Sequence, residues 1–166
     1  MRFQPRLMST LDELFARLRE ATAPAEIEAL QDGIWQIWLM AGHPKLDKHL
    51  EAGMRALAAG DYTLAIQEFT VLVESSPSYA EGWNKRATAY YMRGEYRASL
   101  DDVRQTLRLE PRHFGALSGK ATMLLHLGDA AGALRALQQL ERLCPNWPGL
   151  QTRLRDLGDQ LEENSW

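Results

Sequence analysis

The sequence predicts an all-α protein made of stacked helix pairs. Two ladders of residues point to it. Gly60, Gly94 and Gly128 stand 34 residues apart, and so do Pro77, Pro111 and Pro145. Between each Gly and the next Pro, Ala65, Ser99 and Ala133, then Phe69, Val103 and Leu137, keep the same offset. A fixed period of this size marks supersecondary units that bury their apolar faces on one another. The third observation is negative. No segment alternates polar and apolar residues over strand length, so no strand is predicted.

Taken in order, residues 1–9 read as a lead-in. A helix starts at Ser9 or Thr10 and carries Leu11, Leu14, Phe15 and Leu18 on one face. Thr22-Ala23-Pro24 breaks it. A second helix over about 25–41 carries Ile27, Leu30, Ile34, Ile37 and Trp38, and ends at Gly42-His43-Pro44. These two helices form an N-terminal pair, residues 1–45, which is expected to pack on the first repeat, with Trp35 or Trp38 at the contact.

Six helix signals follow as pairs at 46–59/62–75, 80–93/96–109 and 114–127/130–143. They belong to repeats at 46–79, 80–113 and 114–147. Each pair breaks at a Gly followed by an acid: Gly60-Asp61, Gly94-Glu95, Gly128-Asp129. Gly suits the left-handed backbone that closes a helix, and the acid suits the start of the next one. Each Pro then stops the second helix, because it has no N–H and crowds the preceding turn. Residues 148–166 give a capping helix with Leu150, Leu154, Leu157 and Leu161 on a single stripe.

The chain has 166 residues, with 19 Lys+Arg against 22 Asp+Glu, a net charge of -3. That balance argues against nucleic-acid or membrane-surface binding through bulk charge. Cys144 is the single cysteine and has no internal disulfide partner. The start lacks the apolar run of a signal peptide, and no apolar stretch approaches the ~20 residues needed to span a bilayer. The expectation is a soluble cytoplasmic protein. His43, His49, His113 and His126 show no metal-ligand spacing, and no nucleophile elbow, phosphate loop or acid pair beside a His is present. Neither metal, cofactor nor catalysis is expected.

With the period laid out, the repeats resemble the tetratricopeptide family, whose pattern is W-x2-L-G-x2-Y, A-x3-F, then P. The second repeat gives Trp83, Arg86-Ala87 and Tyr90, then Ser99, Val103 and Pro111. The first gives His49, Ala52-Gly53 and Ala56, then Ala65, Phe69 and Pro77; the third gives Leu117, Lys120-Ala121 and Leu124, then Ala133, Leu137 and Pro145. The resemblance implies a right-handed α-solenoid whose first helices line a concave surface where peptides bind. It puts Trp83 and Tyr90 deep in the second repeat.

On the first helices, the face one residue on from that core face reads Leu50, Met54 and Leu57, then Asn84, Thr88 and Tyr91, then Ser118, Thr122 and Leu125. The resemblance places these nine residues in the groove, with Lys85 beside them. Leu50, Met54 and Leu57 have a second reading, as core beneath the N-terminal helices. Some relatives grip a peptide's C-terminal carboxylate from these helices. The corresponding positions are Leu50, Met54, Lys85, Gly115 and Gly119, so that clamp is not expected here. Arg86 and Lys120 replace the family's Leu. Arg86 either packs its stem and pairs with an acid such as Asp102, or grips a partner's carboxylate.

The expected function is a non-enzymatic adaptor that binds a peptide or helix of another protein and is itself a monomer. The alternative is a homo-oligomeric assembly module using the terminal helices.

Overall fold

A computed structural model describes residues 5–40 and 44–163. It contains α1 (Pro5–Glu20), α2 (Pro24–Trp38), α3 (Pro44–Ala58), α4 (Tyr62–Ser75), α5 (Ala80–Met92), α6 (Tyr96–Leu109), α7 (Phe114–His126), α8 (Ala130–Leu143) and α9 (Leu150–Glu163). Among the described residues there is no strand. The three repeats are α3/α4, α5/α6 and α7/α8. The two helices of each repeat pack together, and each repeat hands on to the next element through α4 on α5, α6 on α7 and α8 on α9.

The ladder residues do the local work expected of them. Gly60, Gly94 and Gly128 hold φ at 78°, 82° and 81°, a left-handed backbone that only Gly enters without penalty. Asp61 accepts the Leu64 N–H at 3.0 Å, and Asp129 accepts the Gly132 N–H at 2.7 Å. Each satisfies an orphan donor at a helix start. Glu95 caps nothing and pairs with Arg93 instead. α4, α6 and α8 each end two residues before their Pro. α1 begins at Pro5, several residues before the Ser9 or Thr10 expected. Pro is well placed at the first turn of a helix, where its missing N–H leaves nothing unsatisfied. α2 ends at Trp38; the Gly42-His43 stop lies outside the described residues.

Within each repeat one contact sets how closely the two helices approach. A Cβ added to Gly53 would stand 2.4 Å from the Phe69 ring, so the first repeat needs a Gly opposite its Phe. At the same offset the other repeats carry Ala87 with Val103 and Ala121 with Leu137, all buried. A smaller partner leaves room for a methyl group. Cys144 is fully buried, and burial pushes its thiol above the usual range.

Two corrections follow from the packing. Trp83 and Tyr90 are half-buried rather than deep. Arg86, standing where the family has Leu, lays its guanidinium 5.1 Å from the Trp83 ring centroid and 5.7 Å from that of Tyr90. The indole N–H of Trp83 donates to the Pro77 carbonyl at 2.9 Å.

The second correction concerns the N-terminal pair, which does not set its tryptophans on the first repeat. Trp38 stacks on His113 with centroids 4.2 Å apart, and Trp35 meets His113 and Phe114 edge-on at 5.2 and 5.6 Å. Phe15 joins Phe114 at 6.5 Å, Arg112 binds Asp12 at 2.6 Å, and Asn146 donates to the Ala21 carbonyl at 2.9 Å. α1 and α2 thus share one apolar core with the third repeat and α9. Among the described residues of this pair, Leu39 at the exit of α2 is the one that joins the separate core of the first repeat. At the docking point the chain reads His113-Phe114-Gly115, two flat rings and a residue with no side chain, where the first repeat has Lys45-Leu46-Asp47.

Candidate peptide-binding groove

α5 and α7 lie side by side, and their expected groove residues come together only in these two helices. Asn84, Thr88 and Tyr91 face Ser118 and Thr122 across a cleft of about 230 Å³ whose floor includes Ala87 and Met123. Spacing of three and four residues puts them on one face of each helix. Thr88 and Thr122 donate their hydroxyls to the carbonyls four residues back, Asn84 and Ser118, at 3.0 and 3.1 Å. Tyr91 packs its ring 5.7 Å from Tyr96, and its hydroxyl lies 3.5 Å from His126 Nε2. His126 in turn stacks on Tyr96 at 4.4 Å.

The remaining expected site residues lie elsewhere. Leu50 is buried in the core of the first repeat, and Leu57 is packed against it. They belong to the first repeat's own core with Phe69 and Leu72, and not to a core beneath the N-terminal helices. Met54 and Leu125 are exposed but do not line the cleft.

Arg86 is not aimed at a partner. Its Nε and Nη2 donate to Asp102 at 2.7 and 2.8 Å, and its Nη1 donates to Thr70 at 3.2 Å. Three of its five N–H donors are thus taken up inside the solenoid. The hydrogen bonds to Asp102 raise the Arg86 guanidinium above its ordinary value. Burial pushes the Asp102 carboxyl up, with Arg86 pulling the other way. Lys120 occupies the same offset in α7, but Asp102 is replaced there by Ala136, so the bidentate pair has no counterpart.

Lys85 is also committed. Its Nζ lies 3.2 Å from Glu81 and 4.9 Å from the centroid of Trp35. Glu81 is itself buried and faces buried His113 at 2.8 Å, with Asn84 donating to it at 3.3 Å. The His113 Nδ1 accepts the Ala116 N–H at 3.1 Å, so Nε2 carries the hydrogen that reaches Glu81. The Tyr79 hydroxyl, beside this network, donates to the Leu39 carbonyl at 3.1 Å. Burial and the nearby Glu81 and Asp47 hold that phenol well above its usual range. Sequence reasoning missed this network. No motif joins Glu81 to His113; the start of α5 and the turn before α7 meet only when the helices pack.

Among the described residues no cluster of His, Cys, Asp and Glu is arranged to hold a metal ion, and no helix is long and apolar enough to cross a membrane. A stacked series of helix pairs with a cleft between successive first helices defines an α-solenoid interaction fold. The chain belongs to the tetratricopeptide repeat family, whose model matches residues 50–98 and 84–148. A TPR repeat-containing protein of Rhizobium etli is 30% identical over 154 residues, covering 93% of this chain and 76% of that one. The co-chaperone DNJ1 of Cryptococcus neoformans, which has tetratricopeptide repeats and a J domain, is 33% identical over 60% of this chain but only 19% of its own length.

Among solved structures, the first repeat domain of Spaghetti (RPAP3), bound to the HSP90 peptide SRMEEVD, superposes with a TM-score of 0.68 at 21% identity, covering 71% of this chain and 94% of that one. The Yersinia enterocolitica secretion chaperone SycD, in complex with a peptide of the translocator YopD, gives 0.66 at 16% identity, covering 75% and 98%. These likenesses concern the fold.

Proposed function

We propose that the chain is a non-enzymatic adaptor that holds a peptide or helical segment of another protein in the groove between α5 and α7. The observation that carries this reading is the cleft itself. It is walled by Asn84, Thr88, Tyr91, Ser118 and Thr122 and left open between two helices, in a fold whose solved neighbours include peptide-bound domains. An amphipathic Tyr in its wall, Tyr91, offers contact area and a hydroxyl with few rotors to freeze, the usual make-up of a hot spot. Lys85 and Arg86 are tied to internal acids, so the segment is not held by a basic clamp.

The test is a photo-crosslinking residue placed at Thr88, compared with one at Gln105 on α6, in the cell the protein comes from. A partner caught from Thr88 is then titrated against Tyr91→Ala. The expected result is a loss of roughly 30-fold in affinity with the melting temperature nearly unchanged. Capture from Gln105 alone, or full affinity in Tyr91→Ala, overturns the reading. Mass in solution across protein concentration separates it from the assembly reading, which requires a concentration-dependent oligomer.

A further inference from the structure

Trp35 already shows how the concave face takes a side chain. Its indole lies against the bare backbone of Gly115, so closely that a Cβ there would stand 2.9 Å from Cζ2. The Lys85 ammonium covers the ring from one side, and His113 and Phe114 present edges to it. The lower step of the groove is therefore filled in cis by an aromatic ring from α2.

Gly119 repeats the arrangement one turn along α7. A Cβ there would meet only the Met123 methyl at 3.8 Å, and the cleft of about 230 Å³ opens at this point. Gly115 borders both steps. The floor is apolar, and Tyr91 supplies a ring at the far side. No charged side chain lines the cleft, so a carboxylate entering it would lose its water and meet no cation. A dry apolar cavity of about 150 Å³ is enough to hold benzene, so this cleft has room for a substituted ring. The threonine hydroxyls are spent on helix carbonyls, while Ser118 and Asn84 bring polar groups to the cleft.

We infer that the Gly119 step is a seat for one neutral aromatic side chain of a partner segment, stacked along the groove above the chain's own Trp35. This deepens the adaptor reading and rests on it. What commits the seat to a ring is its continuity with the Trp35 interface: the same α7 face, the same missing side chain, and a cleft of matching size.

The experiment uses the full chain with indole and p-cresol as side-chain probes and benzoate as a charged ring of similar size, followed by NMR. Indole should saturate with an affinity of about millimolar, as expected for so small a ligand. It should shift the amides of Gly119 and Thr122 on α7 and of Thr88 on α5. Benzoate should bind at least 10-fold more weakly, about one factor of ten per 1.4 kcal/mol of lost interaction. Gly119→Leu should abolish the indole shifts, since it fills the seat while favouring the helix. Thr88→Met, on the exposed side of α5, should do the same and stands in if Gly119→Leu unfolds.

The inference is overturned if indole shifts map elsewhere, survive both substitutions, or are matched by benzoate. Failure of this inference and of the adaptor reading are distinguishable with a crosslinked partner in hand. A partner that loses affinity in Tyr91→Ala but tolerates alanine at each of its own aromatic residues leaves the adaptor reading standing and removes the aromatic seat.

Discussion

Arg86 decides more than any other single residue between the readings open in the sequence. At a position where relatives carry Leu, a guanidinium has two uses: to grip a partner or to be neutralised at home. The structure has it neutralised, in two short hydrogen bonds to an Asp102 that is 5% exposed. Removing one member of such a pair leaves a buried charge alone, which costs about 3–5 kcal/mol, whereas replacing both with apolar groups is often neutral. Arg86→Leu should therefore destabilise the protein by that amount in denaturant melts. Arg86→Leu combined with Asp102→Leu should recover most of it. A single substitution costing under about 1 kcal/mol would mean that Asp102 is solvated and the pair is a surface bridge. The same arithmetic explains why Asn84, read from its face as a groove residue, is tied into structure: its amide serves the buried Glu81.

At the scale of elements, the N-terminal helix pair is a cap that reaches past its sequence neighbour. It leaves the first repeat to a small core of its own and joins α7, α8 and α9. Gly115 is the hinge of that choice, because its missing side chain is where Trp35 sits. Gly115→Val should push the indole off α7 while leaving the repeats folded. The readout is hydrogen exchange: amides of α1 and α2 should lose protection by at least about 10-fold, while those of α5 and α6 hold theirs. Equal protection throughout would show that Phe15, Trp38 and Asn146 carry the docking without Trp35. The period of 34 exposed each helix break in the sequence, since Gly and Pro act locally. It carried no information about the docking of α1 and α2, which depends on contacts about a hundred residues away, such as Arg112 with Asp12.

Across the whole molecule, stability should be uneven. Repeat arrays draw their stability from each unit and its neighbours. Among the described residues, the third repeat is covered on several sides, by α6, α9 and the N-terminal pair, whereas α3 and α4 meet α5 and the end of α2. Native-state hydrogen exchange should find α3 and α4 opening at the lowest free energy among the repeats, with α7 and α8 opening only near global unfolding. Slowest exchange in α3 would contradict this distribution of the core. The groove lies between these extremes, on α5 and α7, so its two walls belong to repeats of different stability.

The sequence by itself determined that the chain is helical, that it repeats every 34 residues, and where most helices begin and end, because caps and breakers act locally. Its motif residues carried the resemblance to the tetratricopeptide family. It also placed Asn84, Thr88, Tyr91, Ser118 and Thr122 on matching faces of two helices, because helical spacing alone sets which residues share a face. Only the tertiary structure decided that Leu50 is core with Leu57 packed on it, that Arg86 and Lys85 are already paired, and that Trp35 lies on Gly115 while Gly119 borders an open cleft. These outcomes turn on which charges meet and which surfaces are covered when distant helices pack. A buried acid finds its His or Arg on another helix or turn of the fold, and no spacing along one helix encodes that meeting.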